Sequence, residues 1–148
     1  MPPDSLPPPS GPSPGVQVAV LSDLPNAGTA CAQGRHFVEE QLWRWRVPMQ
    51  VADTMVLLAS EIIANAVRHG PPPVCLELSL HADRVRLEVT DSSATPPVPR
   101  RPELEALGGR GLFLIDTLAA KWGWHPRAPG KVVWCEMPIA DPVLPPTR

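Results

Sequence analysis

The sequence predicts an α+β fold, a two-layer sandwich in which helices cover one face of a mostly antiparallel sheet. Three observations lead there. Apolar, β-branched segments come in consecutive pairs joined by short connections, as hairpins do and doubly wound parallel sheets do not. Residues 26–69 hold two stretches with apolar residues at helical spacing. Along Val85–Thr90, Val85, Leu87 and Val89 point one way and Arg86, Glu88 and Thr90 the other, so the sheet has one buried and one wetter face.

The elements follow in order. Val16–Leu21 reads as a first strand. Asn26–Trp45 reads as a helix through Ala30, Phe37, Val38, Leu42 and Trp45, although Gly28 and Gly34 weaken it, and Val47-Pro48 breaks it. Gln50–His69 is the strongest helical signal: Val51, Met55, Leu58 and Ile62 form a stripe that Ala59, Ile63 and Ala66 widen. Gly70 and three prolines end it. Val74–Leu80 and Val85–Thr90 form a hairpin. Ser92–Leu107 is a Pro-rich, charged loop, long enough to suggest a function. Gly108-Gly109-Arg110-Gly111 opens a helix running to about Ala120, and Lys121–His125 and Lys131–Met137 make a closing hairpin around Pro126–Gly130.

Proline marks the boundaries. There are 22 prolines in 148 residues, about three times the usual ~5%. Seven lie in the first fourteen residues and three in the last seven, with clusters at Pro71–Pro73 and Pro96–Pro102. Residues 1–14 are therefore expected to be a disordered tail, 15–139 one domain, and 140–148 a C-terminal tail. A net charge of −2 argues against a basic nucleic-acid binder. No continuous apolar run reaches ~18 residues and no secretory signal is visible, so neither a membrane span nor export is expected. Cys31, Cys75 and Cys135 lack metal-site spacing and are expected to be buried free thiols in a reducing cytoplasm.

Three places put polar residues where a core pattern does not ask for them. Glu61 and Asn65 are four apart on the strong helix and so are neighbours on one face. A carboxylate there suits a general base and an amide oxygen suits Mg²⁺; a solvated helix face is the plain alternative. Asp91 ends a strand, where it can accept a hydrogen bond from an exocyclic amine of a base or simply form an Asx-turn. Gly108, Gly109 and Gly111 precede a helix, where free N–H groups attract phosphate; caps and turns use glycine in the same way. The GxxxxGK[ST] pattern is absent. Trp122, Trp124 and Trp134 are expected to pack in the closing hairpin, whereas Trp43 and Trp45 are candidates for a partner surface.

The order of these pieces carries a resemblance. Ser60–Gly70 (SEIIANAVRHG) resembles the N-box of the GHKL ATPases, the Bergerat-fold group of gyrase, histidine kinases and anti-sigma-factor kinases. Leu87–Ser93 is similar to its adenine-contacting box, and Gly108–Trp124 to its second glycine box. Gly130–Trp134 resembles the closing strand of the small, stand-alone actinobacterial members, ATP-binding serine-protein kinases that sequester a sigma factor.

The resemblance implies that Asn65 binds Mg²⁺ and through it the phosphates of ATP, and that Glu61 is the general base. It implies that Asp91 binds the adenine amino group. Gly109, Arg110, Gly111 and Leu112 would surround the phosphates beneath a lid formed by roughly Ala94–Leu107. The implied partner is a sigma factor or an anti-sigma-factor antagonist, with no direct nucleic-acid or membrane contact, and such relatives are commonly homodimers. A chain of this length is not expected to be a full histidine kinase or gyrase.

One departure stands out. The family's Asp-x-Gly-x-Gly is Asp91-Ser92-Ser93-Ala94-Thr95 here, followed by Pro96 and Pro97. That predicts a stiffer hinge and weighs against tight ATP binding and efficient turnover. Two rivals to a kinase follow. One is a non-catalytic module of the same fold that holds a sigma factor or antagonist. The other is an unrelated α+β domain whose glycines and Asn65 are structural.

Overall fold

The computed structural model describes residues 15–24, 28–69, 71, 73–93, 95–96 and 117–139. Its elements are β1 (Gln17–Leu24), α1 (Ala30–Arg44), α2 (Met49–His69), β2 (Val74–Leu80), β3 (Arg84–Asp91), β4 (Lys121–Arg127) and β5 (Gly130–Pro138). The strands form a five-stranded sheet in the order β1-β2-β3-β5-β4, with every neighbouring pair antiparallel. Both helices pack on one face, giving the expected α+β sandwich.

The core lies between α2 and the inner sheet face. Met55, Leu58, Ala59, Ile62, Ile63 and Ala66 of α2 are buried, opposite Leu76 and Leu78 of β2 and Val85, Leu87 and Val89 of β3. Met49–Arg68 is long and apolar enough to cross a membrane, with a mean hydropathy of 1.3, although no single apolar run suggests it. Its apolar side is used instead to cover the sheet.

Gly34 sits inside α1 and brings that helix onto α2. A Cβ there would meet the Cδ1 methyl of Ile63, which would have to turn aside, so the residue that weakens the helical pattern lies at a close contact between α1 and α2.

The outer sheet face is held by charges. Arg86 donates to Glu88 at 3.0 Å and to Glu136 at 2.8 Å, and its guanidinium lies 4.4 Å from the centroid of the Trp134 ring. Arg84 donates to the same Glu136 carboxylate at 3.2 Å. Burial alone would raise the pKa of Glu136, but the Arg86 and Arg84 guanidiniums outweigh it and hold the carboxyl below the usual range.

Several boundaries and placements differ from expectation. β1 runs on to Leu24, pairing with Val74 after an irregularity. The closing hairpin has longer strands and turns at Ala128-Pro129, with Pro126 inside β4. β4 is the edge of the sheet, where a missing N–H costs no ladder bond on the open side. Trp45 packs against the core, leaving Trp43, 79% exposed, as the surface tryptophan of that pair. Trp124 is exposed rather than packed, whereas Trp122 on the same strand packs against the core. Among the cysteines only Cys135 is buried, and burial pushes its thiol up to about 12; Cys31 and Cys75 are half-buried.

Candidate nucleotide site

Asp91 continues the inner face of β3. Val85, Leu87 and Val89 alternate into the core, and the next position in that register is Asp91, whose side chain is 1% exposed. On β5 the same logic applies to Lys131, which shares a face with the buried Val133 and Cys135 and is also 1% exposed. The two are direct cross-strand partners. Lys131 Nζ donates to Asp91 Oδ1 at 3.1 Å and to the Ser93 carbonyl at 3.3 Å.

Oδ1 is the more heavily used oxygen of the carboxylate. Oδ1 also accepts from the Ser93 N–H at 2.8 Å, which is the Asx-turn that the sequence allows. Ser93 Oγ in turn accepts from the Thr95 N–H at 3.2 Å. These side-chain bonds shape the turn without glycine: among the described residues, only Asp23 and Arg46 are non-glycines with positive φ. Lys131 Nζ also lies 3.1 Å from Oδ2, so the ammonium sits against both carboxylate oxygens in a buried ion pair. An ionised carboxylate has about four acceptor positions, so Asp91 can still accept from the exocyclic amine of a base beside its ion pair.

Gly130 allows this arrangement. A Cβ at Gly130 would run into the Asp91 carbonyl oxygen and the Ser92 Cα, so β5 reaches the end of β3 only because residue 130 lacks a side chain.

Asn65 is on the buried side of α2, 7% exposed, which rules out the solvated helix face for this residue. Glu61, one turn earlier, is half-buried. Its charge acts on the Cys31 thiol of α1, alongside Arg35 and Arg68, although burial is the main cause of that thiol's raised pKa. α2 packs on β3 and β5, so Asn65 and Asp91 belong to elements in direct contact. Among the described residues no group of three or more His, Cys, Asp or Glu could hold a metal. A Mg²⁺ site here would rest on the Asn65 amide together with phosphate oxygens and water.

Gly109, Arg110, Gly111 and Leu112 lie outside the described residues, as does the expected lid over Ala94–Leu107 except for Thr95 and Pro96. Of the helix expected from Gly111 to about Ala120, residues 117–120 are described: Thr117 and Leu118 are helical, whereas Ala119 and Ala120 are not. Lys131 is the functional candidate that sequence reading missed. Its signal was a lysine, one of only two in the chain, at a core-facing position of an apolar strand.

Comparison with curated proteins finds no match. Among solved structures, the RsbU and RsbW domains of Rv1364c from Mycobacterium tuberculosis share the fold, with a TM-score of 0.64 and 19% sequence identity. The likeness covers 84% of this chain and 33% of that one, so this chain spans about a third of that chain's length. Residues 24–137 match the histidine kinase-like ATPase domain, a span from the end of β1 into β5 that includes Glu61, Asn65, Asp91 and Lys131. The chain belongs to that family, the GHKL group of ATPase domains.

Proposed function

We propose that this chain is an ATP-binding regulator of the anti-sigma-factor type, a protein kinase that phosphorylates a serine or threonine of an antagonist protein. The observation that carries the reading is Asp91 itself, a buried carboxylate at the strand end that the family resemblance ties to adenine. The burial of Asn65 on the adjoining helix supports it.

In this reading Asp91 Oδ2 accepts the amino group of the base. The Asn65 amide oxygen would hold Mg²⁺, which when bound neutralises phosphate charge. Glu61 would accept the proton of the partner's hydroxyl once that hydroxyl is within hydrogen-bond reach. Positioning and charge neutralisation supply most of such a reaction's acceleration. The resemblance of the RsbU and RsbW domains supports a partner from sigma-factor regulation; the reading places that partner and this chain in the cytoplasm.

A second reading is favoured by one specific observation: the Asp91 carboxylate is already paired through both oxygens with Lys131 and accepts from Ser93. In that reading the fold is a non-catalytic module that holds a sigma factor or antagonist with weak nucleotide binding or none. Incubation with γ-labelled ATP, Mg²⁺ and candidate antagonists separates the two. The kinase reading expects labelled antagonist with the wild type and none with Glu61→Ala. An antagonist that binds the wild type tightly and stays unlabelled supports the module instead.

A further inference from the structure

We propose that the groove between α1 and the start of α2 docks a basic amphipathic helix of a partner protein. The inference does not depend on nucleotide binding, because the groove and Asn65 lie towards opposite ends of α2.

α1 and α2 are joined through residues 45–48 and pack on each other as an αα-hairpin. His36, Glu39, Glu40 and Trp43 of α1 line one wall of the groove. Met49, Ala52, Asp53 and Val56 of α2 line the other. Each set repeats at i, i+3, i+4 and i+7, so each is one helix face about two turns long. A furrow between two such faces receives the side-chain ridge of a third helix. An extended segment would need open backbone N–H and C=O groups to pair with, and two helix faces offer none.

Trp43 and Met49 are the most exposed large apolar side chains among the described residues, and both border this groove. A helix laid over them removes both from water. Tryptophan supplies a large share of the binding energy at interfaces, and methionine adapts its shape to a partner.

The rim is acidic. Glu39 and Asp53, one from each wall, are exposed and have no hydrogen-bond or ion-pair partner among the described residues. Glu40 is taken up by Arg44 at 3.0 Å, and Arg46 lines a neighbouring hollow rather than this one. Basic residues beside the partner's apolar stripe would meet two uncompensated carboxylates, and acidic ones would be repelled. Asp53 and Asn65 are about 18 Å apart along the helix axis, so a docked helix leaves the Asn65 end free.

Fluorescence anisotropy of the full chain against labelled model peptides tests this. The probe is a helical peptide of about 15 residues with leucines along one face and arginines beside them. Its controls carry glutamate for arginine, or a central proline that breaks the helix. The basic helix is expected to bind about tenfold or more tighter than either control. Trp43→Ala is expected to weaken it about tenfold, and Glu39→Lys with Asp53→Lys to turn the preference towards the acidic peptide. Circular dichroism and Mg·ATP titration of these variants, both expected to match the wild type, separate a lost groove from a lost fold. Equal binding of the acidic peptide, no binding of the basic one, or binding untouched by both variants overturns the proposal and leaves the nucleotide reading standing. So does self-association of the wild type in sedimentation that Trp43→Ala abolishes, which assigns the groove to a second copy.

Discussion

Lys131 and Asp91 face each other across the β3–β5 ladder with Nζ 3.1 Å from each carboxylate oxygen, and each side chain is 1% exposed. A buried pair of this kind ties two strand ends together at the place where the base would be read. Removing one partner leaves the other charge buried and uncompensated, which typically costs about 3–5 kcal/mol. Lys131→Met is therefore expected to lower stability by about that amount in urea unfolding. Asp91→Leu combined with Lys131→Met is expected to recover much of the loss. Equal losses in the single and double variants would show that the pair is not the source.

Gly130 lets that pair form. A Cβ at this position overlaps the Asp91 carbonyl and Ser92 Cα, which are backbone atoms and cannot swing aside. Gly130→Ala is expected to cost about 3 kcal/mol, the upper end of overpacking penalties. It should also weaken nucleotide binding, because Asp91 shifts with the strand end. A variant with unchanged unfolding midpoint would refute the close approach.

Glu136 gives the sheet an acid-sensitive contact. Its pKa lies below the ordinary range, with the Arg86 and Arg84 guanidiniums overcoming the opposing effect of burial. A carboxyl depressed in the folded state contributes fully above its unfolded value of ~4.3 and loses that contribution as pH falls through the lower folded value. Wild type should therefore exceed Glu136→Gln in Tm at neutral pH, and the gap should narrow below about pH 4. A gap independent of pH would point to packing rather than charge.

Trp43 is 79% exposed at the end of α1, and Met49 at the start of α2 is 73% exposed. Both line a cavity of about 490 Å³ that Glu39, Glu40 and Asp53 also border. An apolar hollow with acidic neighbours suits a basic, apolar segment of a protein partner. Trp43→Ala is expected to leave stability within about 0.5 kcal/mol and to weaken antagonist or sigma-factor binding about tenfold or more. Unchanged affinity for the cognate partner would move the interface elsewhere.

Much of this architecture is legible in the sequence, for identifiable reasons. The alternation from Val85 to Val89 and the stripe from Val51 to Ile62 depend on periodicity alone, and the structure places those residues as expected. Asn65 and Asp91 stand out as polar residues within apolar patterns, and both are buried. Lys131 follows the same rule, but its partner is 40 residues away and only strand register brings them together. Gly34 misled for a related reason: as a helix former it is poor, but its value is a contact with Ile63 that no local pattern contains. The hairpin ends shifted because an edge strand tolerates Pro126, a condition that depends on sheet order.

The central claim is that α2 and the end of β3 together bind a magnesium nucleotide. Calorimetric titration of Mg·ATP into the full chain and into Asn65→Ala addresses it most directly. The account predicts saturable heat for the wild type and a loss of affinity of about tenfold or more for Asn65→Ala, whose fold should survive because the change is small. Absence of binding by a folded wild type, or equal affinity in the two proteins, would contradict it.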